Sequence, residues 1–240
     1  MNGSGKRSLA PTSLPTEAAP LSEIAHAHAA KRLAALATPP GALGRLGEYA
    51  VWLSATQGRV PPAPLREVRL LAMAGVEVGG VAAAHGVTVV PLPSAEGGPE
   101  ASMLAGAAVA HRELRQGAQL LLVTDPWRCS ADDADAFVDL ATGVLLHAAH
   151  TGVPVVLSGA LAAAAAQRAE ERAPGARLWF VDAAVLSSAG EPDGPARRGA
   201  AAPEAAAPRF AALAALAGVP ILRSAVALLR EVALMSELAR

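Results

Sequence analysis

Short apolar runs alternate with longer alanine- and leucine-rich segments through the middle of this chain. Five runs have the length and aliphatic content of buried strands: Val68–Met73, Gly86–Val90, Gln119–Val123, Val153–Leu157 and Leu178–Val181. Three longer segments have the spacing of helices with an apolar stripe: Pro99–Gln116, Ala131–His150 and Ala160–Arg172. This alternation of strands and helices predicts βαβ units. It therefore predicts an α/β fold with a three-layer, Rossmann-like parallel sheet of about five strands.

Both ends of the chain have helical patterns. Leu21–Gln57 predicts two helices broken at Thr38-Pro39-Pro40-Gly41, because a residue before proline is pushed out of the α region. Ala207–Arg240 predicts two more helices, separated at Gly218-Val219-Pro220. We expect these terminal helices to cover the sheet or to pair between subunits.

The domain organisation is predicted to be simple. The chain has 240 residues, of which 52% are hydrophobic, enough for one buried core. Residues 1–20 are rich in Gly, Ser, Pro and Thr with little to bury, which predicts a disordered tail before a single domain over residues 21–240. Residues 191–208 have a similar composition and predict a flexible loop within that domain.

Charge and cysteine content restrict the partners and the compartment. A formal net charge of -1 and scattered basic residues offer no basic face for nucleic acid. The single cysteine, Cys129, cannot form an internal disulfide, and no signal peptide pattern opens the chain, which predicts a cytoplasmic protein. Gly, Pro, Arg and His interrupt the apolar stretches, so we expect no transmembrane helix and no membrane partner.

Four motifs occur in a fixed order. The first is TPPGALGRLGEYAVWLSATQG at Thr38–Gly58, and the second is the spacing G-V-x-x-x-G-V after the first predicted strand. The third and fourth are Thr142–Ala166, around a Gly-Val-Pro-Val strand, and LAGVPIL at Leu216–Leu222. The positions that define the first two motifs are Pro39, Pro40, Gly41, Leu43, Gly44, Arg45, Leu46, Gly75, Val76, Gly80 and Val81. Together they resemble the nicotinate-nucleotide:dimethylbenzimidazole phosphoribosyltransferase family of cobalamin (vitamin B12) nucleotide-loop assembly.

This resemblance implies a transferase without a cofactor. Family members move a phosphoribosyl group from nicotinate mononucleotide to a benzimidazole-type base and form α-ribazole phosphate. They are homodimers in which terminal helices contact the partner subunit. Their general base is a glutamate in a Gly-Glu-Gly loop shortly after the proline that matches Pro220. An ungapped count places Arg230 at that position, and Glu231, one residue later, is a weak candidate for a shifted base, because without flanking glycines it is expected on a continuous helix.

The chain departs from the family at its reactive positions. Met73 and Ala74 stand where the family has Asp-His, and Thr124–Cys129 replaces a glycine-rich phosphate loop. A block that contributes nucleotide contacts and a lysine is missing, so the chain resembles a shortened, degenerate member. We therefore predict a non-catalytic or divergent paralogue that binds a small molecule or a partner enzyme of the pathway. The alternative is an active phosphoribosyltransferase.

Other polar residues suggest weaker sites. The predicted strand ends place five residues at one edge of the sheet, where they could line a ligand cleft: Asp125, Trp127, Ser158, Gly159 and Asp182. Ser130, Asp132 or Asp133 could instead only cap the following helix. The histidine pairs His26/His28 and His147/His150 lack other ligands at metal-binding spacing, so we expect core or surface histidines and no metal site.

Overall fold

The structure is a computed structural model that describes residues 11–35, 43–73, 78–94, 97–126, 130–187 and 207–238. It contains five strands: β1 (Val68–Ala72), β2 (Val87–Pro91), β3 (Leu120–Thr124), β4 (Val155–Ser158) and β5 (Phe180–Asp182). All neighbouring strands pair in parallel, in the order β2-β1-β3-β4-β5. The predicted α/β fold with a five-stranded parallel sheet is confirmed.

Helices cover both faces of this sheet. The described helices are α1 (Glu23–Ala34), α2 (Gly44–Gln57), α3 (Gly79–Ala84), α4 (Pro99–Arg115), α5 (Ala131–Thr151), α6 (Ala160–Arg172), α7 (Ala183–Ser187) and α8 (Ala207–Leu238). Alternate strand residues separate two cores, since side chains on a strand point to opposite faces. Leu71, Val123 and Leu157 pack against α4, α5 and α6, whereas Leu70 and Leu122 pack against α2, α7 and α8.

Helices α4 and α5 cross at very short range. A Cβ atom at Gly106 of α4 would lie 1.9 Å from the Leu140 carbonyl oxygen of α5. A Cβ atom at Gly143 of α5 would lie 1.8 Å from the Met103 carbonyl oxygen of α4. Each helix therefore places a glycine against the backbone of the other, and a side chain at either position would force the two helices apart.

The C-terminal part forms one helix, so the prediction of two helices around Gly218-Val219-Pro220 was wrong. Proline costs about 3 kcal/mol inside a helix, but burying a single Leu or Val side chain contributes about 1.5–3 kcal/mol. Helix α8 buries such residues on both sides of Pro220, so packing outweighs the local preference. They include Leu216, Val219, Leu222, Val226 and Leu229. Gly218 also has a packing role, because Cδ1 of Leu186 lies 2.8 Å from where its Cβ would stand.

Helix α8 also contains an apolar stretch that the sequence analysis did not anticipate. Ala211–Leu234 is long and apolar enough, by length and composition alone, to cross a membrane. Half of its most apolar part is buried inside the protein, where α8 packs against β3, β4, α2 and α7. A helix in the core of a globular protein can be equally long and apolar, so this stretch is weak evidence for a membrane span.

Residues 11–20, termed the N-terminal segment below, pack against the core although the sequence predicted a disordered tail up to residue 20. Ala19 N–H donates to the Ala149 carbonyl oxygen (2.9 Å), and the Trp179 indole donates to the Ala19 carbonyl oxygen (2.8 Å). Leu14 and Ala18 contact the α4–α6 core. Composition alone misses this packing, because a few small apolar side chains and the Ala149 carbonyl near the end of α5 are enough to anchor the segment. Residues 1–10 and most of the predicted 191–208 loop lie outside the described residues.

Candidate functional site

The strand order locates the expected site. The chain passes from β1 to β2 on one side, then returns across β1 to β3, so the direction of connection reverses between β1 and β3. In open parallel sheets, ligands bind beyond the carboxyl ends of the strands at such a switch point. The candidate site is therefore the carboxyl edge of β1, β3 and β4. Two of the loops that follow these strands, residues 74–77 and 127–129, lie outside the described residues, and with them the predicted positions Gly75, Val76 and Trp127.

Asp125 binds the first turn of α6. Its two carboxylate oxygens accept hydrogen bonds from Leu161 N–H (3.1 Å) and Ala162 N–H (2.8 Å). Burial raises the pKa of the Asp125 carboxyl, and these N–H donors partly oppose the increase. Free N–H groups at a helix N-terminus form a natural anion site, and the first turn is also the positive end of the helix dipole. Here a carboxylate of the chain itself fills that site.

Gly159 makes this arrangement possible. It has a φ of +111°, a conformation that L side chains rarely adopt. A Cβ atom at this position would also lie 2.1 Å from Cγ of Asp125. The predicted cleft residues Asp125 and Gly159 are thus brought together, but as a helix cap and the glycine that accommodates it.

The other predicted cleft residues lie along the same edge in different settings. Asp182 accepts a hydrogen bond from Ala184 N–H (2.8 Å), so it begins α7. Ser158 is buried opposite Thr124 in the strand register. The buried Thr124 hydroxyl, which the sequence did not single out, has no hydrogen-bond partner in the described part of the chain. The structure places Asp125, Ser158, Gly159 and Asp182 along one edge of the sheet, with both aspartates used as caps, and a ligand cleft at this edge stays a prediction.

Helix α2 contains most of the first sequence motif and is called the signature helix below. It reaches this edge from the α8 side of the sheet. Arg45 donates to the Val185 carbonyl oxygen of α7 (3.0 Å), which fixes the start of α2 beside the end of β5. Burial raises the pKa of Tyr49, one turn further along α2, and the positive charge of Arg45 opposes that increase. Gly44 has a φ of +47°, which suits the turn that precedes the helix.

The remaining signature positions have mixed surroundings. Leu43 precedes α2, and the half-buried Leu46 packs against the α8 core. Gly80 and Val81 lie on the short helix α3, where Val81 is 42% exposed. Pro39, Pro40 and Gly41 lie outside the described residues. The structure thus brings Arg45 to the carboxyl edge and leaves Gly80 and Val81 on a helix surface.

Glu231, the weak candidate for a general base, lies away from this edge. Gly218 of α8 contacts Leu186, just beyond the end of β5, and Glu231 follows 13 residues later on the same helix, about 20 Å along its axis. Between them, Arg223 donates to the carbonyl oxygens of Leu65 and His85, which precede β1 and β2 at the amino edge. Glu231 is also exposed to solvent. No glycine loop surrounds it, since α8 is helical throughout residues 207–238.

The other candidate residues have structural roles. Ser130 and Asp133 form a capping box at the start of α5, and the hydrogen bonds from Ser130 lower the pKa of Asp133. His26 and His28 are exposed on α1. Within the described ranges, no group of three or more His, Cys, Asp or Glu side chains could hold a metal ion.

An open groove of about 410 Å³ lies between α4, α5 and α6. It contains the ion pair between Arg168 and Asp139 (2.7 Å) and shares no residue with the predicted cleft. Its lining residues are Pro99, Met103, Asp135, Asp139, Arg168, Glu171 and Arg172.

Comparisons with known proteins agree with this arrangement. A family model described as a phosphoribosyltransferase matches residues 18–96, which include α1, the signature helix α2 and strands β1 and β2. The resemblance to this phosphoribosyltransferase family is confirmed. Comparison with curated protein sequences gives no match.

Solved structures match over most of the chain. The crystal structure of nicotinate-nucleotide-dimethylbenzimidazole phosphoribosyltransferase from Thermus thermophilus is 20% identical, with a TM-score of 0.62. The match covers 88% of this chain and 96% of that one. A structure of CobT from the same organism is 21% identical over 86% of this chain and 96% of that one, with a TM-score of 0.61. At this identity the likeness establishes the fold that this chain shares with these enzymes.

Proposed function

We propose that this chain is a CobT-like protein of cobalamin nucleotide-loop assembly that has lost phosphoribosyl transfer. In this role it binds a benzimidazole-type base or a partner enzyme of the pathway in the cytoplasm. One observation carries the proposal: the Asp125 carboxylate occupies the N-terminus of α6 at the edge where the fold binds ligands. A phosphate at that position would have to displace a carboxylate that already holds two N–H donors.

The electrostatics at this position oppose a nucleotide. A phosphate monoester carries between one and two negative charges near neutral pH, and Asp125 adds a further negative charge a few ångströms away. At a separation of about 4 Å, two like charges repel by about 4 kcal/mol for an effective dielectric constant of 20. This repulsion disfavours nicotinate mononucleotide, whereas an uncharged benzimidazole carries no phosphate and escapes it.

The position of Glu231 supports the same proposal. A general base must come within hydrogen-bond reach of the proton that it removes, directly or through one water molecule. Glu231 lies about 20 Å along α8 from the contact that joins α8 to the end of β5. The alternative, an active transferase, needs either a rearrangement of α8 or a base from another part of the chain.

A product assay separates the two functions. We expect purified full-length protein, incubated with nicotinate mononucleotide and dimethylbenzimidazole, to give no α-ribazole phosphate by mass spectrometry. In thermal melts, dimethylbenzimidazole should raise the melting temperature of the wild-type protein, because a ligand that binds only the native state stabilises it. Nicotinate mononucleotide should leave the wild type unchanged but stabilise Asp125→Ala, whose α6 N-terminus is free to accept a phosphate.

The controls make the result decisive. Product formation that is lost in Glu231→Gln and kept in Glu100→Gln, an exposed glutamate on α4, would establish the active transferase instead. Absence of product with no thermal shift from either small molecule would leave the partner-enzyme role. Equal stabilisation of the wild type and Asp125→Ala by nicotinate mononucleotide would contradict the proposed block by Asp125.

We also propose that the protein is a homodimer. The terminal helices expose apolar side chains: Ile24 of α1 is 76% exposed, and Leu213 and Leu234 of α8 are 40% and 55% exposed. Burying such residues against a second copy would gain roughly 25 cal/mol for each Å² of apolar surface. Light scattering after gel filtration should give about twice the chain mass of 24.1 kDa. Leu213→Glu should shift the mass to that of the monomer, and a monomeric wild type would rule the dimer out.

A further inference from the structure

Three histidines lie together at the C-terminal ends of α4 and α5, outside the candidate site. The His147 ring is buried, and its centroid lies 5.2 Å from that of His111 in an edge-to-face arrangement. Neither ring nitrogen of His147 has a hydrogen-bond partner among the described residues. His150 follows one turn later on α5 and is exposed. A buried imidazole without partners is costly to protonate, because its charged form loses hydration and gains no acceptor.

The N-terminal segment is attached beside this cluster. Nδ1 of His150 lies 3.1 Å from the Glu17 carbonyl oxygen, and Ala19 N–H donates to the Ala149 carbonyl oxygen at 2.9 Å. Trp179 holds the other side of the segment through its bond to Ala19. The segment therefore rests on the last turn of the helix that carries His147.

We propose that His111, His147 and His150 form an acid-sensitive latch that releases the N-terminal segment from the end of α5. Protonation of His147 places a charge in a buried position near two other imidazoles. Opening the last turn of α5 and detaching the segment lets water reach the ring, which restores hydration of the charge and weakens its repulsion by the neighbouring imidazoles. In the attached state the contact between His150 and the Glu17 carbonyl does not depend on the protonation of His150, since an imidazolium also donates from Nδ1. His147 is therefore the sensor and His150 the attachment point.

The charges around His147 set the direction of the response. Burial lowers the pKa of His147 to about 4 from the usual 6.5, and the neighbouring His111 and His150 contribute in the same direction. In the released state the ring lies in water, so the His147 imidazole takes up its proton with the ordinary pKa of about 6.5. Attachment is therefore complete above about pH 6.5 and weakens as the pH falls toward 4.

Hydrogen exchange tests the latch on the full-length protein. After correction for the intrinsic exchange rate, the protection factor of the peptide that contains residues 11–20 should fall at least about 10-fold between about pH 7 and pH 4.5. Peptides from β3 should stay protected over the same range. In His147→Phe, which keeps an aromatic ring against His111, protection of the segment should not change with pH. His26→Phe, an exposed histidine on α1, should behave as the wild type.

Three results would overturn this proposal. They are a wild-type segment whose protection does not depend on pH, a pH response that survives in His147→Phe, and loss of β3 protection together with the segment. His147→Leu replaces His147→Phe if the aromatic variant fails to give a native circular dichroism spectrum.

Discussion

Gly143→Ala should lower the free energy of unfolding by about 3 kcal/mol or more, since overpacking of this severity lies at the upper end of measured effects. The new methyl group would lie 1.8 Å from the Met103 carbonyl oxygen, and the backbone of α4 cannot move away as a flexible side chain could. Gly106→Ala should have a similar effect through Leu140. Urea unfolding followed by circular dichroism measures both variants against the wild type.

A third glycine provides the matched control. Gly47 also lies inside a helix, but a Cβ atom there would meet Leu43 and Leu33 only at ordinary distances of 3.5 and 3.6 Å. Because alanine favours a helix over glycine by about 1 kcal/mol, Gly47→Ala should be neutral or slightly stabilising. A loss of less than about 1 kcal/mol in both Gly143→Ala and Gly106→Ala would show that α4 and α5 cross at a larger distance than described.

This crossing also shows the limits of sequence reasoning. The apolar spacing of Pro99–Gln116 and Ala131–His150 predicted α4 and α5 within one residue at the end of each helix. Nothing in that spacing indicated that Gly106 faces the backbone of Leu140 or that Gly143 faces the backbone of Met103, because these contacts join positions 34 and 40 residues apart in the chain. Periodicity reports which face of a helix is buried, but the partner of that face depends on the tertiary arrangement.

In helix α8 the error was different, because a local signal for a helix break was followed although tertiary packing overrides it. The Gly-Val-Pro sequence is a strong local signal for a break, yet the buried apolar residues on both sides keep the helix continuous. The expectation that Glu231 lies on a continuous helix agrees with the structure, in which it follows Gly218 by about 20 Å along the axis of α8.

The candidate site was predictable in location and not in chemistry. Parallel strands share a carboxyl edge, so strand ends alone placed Asp125, Ser158, Gly159 and Asp182 together. Whether an aspartate at that edge faces a ligand or caps a helix depends on its distance from backbone N–H groups. For Asp125 those groups belong to residues 36 and 37 positions away in the chain, which local pattern cannot reveal.

Gly159→Ala should destabilise the protein by about 1.5–5 kcal/mol, from two sources that add. Alanine at a φ of +111° and a ψ of 166° costs about 1–3 kcal/mol in backbone strain, and the loss of a helix cap costs about 0.5–2 kcal/mol. The new Cβ atom would displace the Asp125 carboxylate, which it would approach to 2.1 Å, and would leave Leu161 N–H and Ala162 N–H without their acceptor. Urea unfolding gives the total loss.

Gly98→Ala separates the two sources. Gly98 also precedes a helix and has a φ of +88°, but no described atom lies within 4 Å of the position of its Cβ, so only the strain of about 1–3 kcal/mol applies. In an Asp125→Ala background the cap is already lost, and Gly159→Ala should then cost no more than Gly98→Ala. The free-energy cost of Gly159→Ala in the wild type, minus its cost in the Asp125→Ala background, measures how strongly the carboxylate is bound at α6. If the cost of Gly159→Ala is the same with and without Asp125, the carboxylate does not hold the helix N-terminus, and the α6 amides remain open to a phosphate.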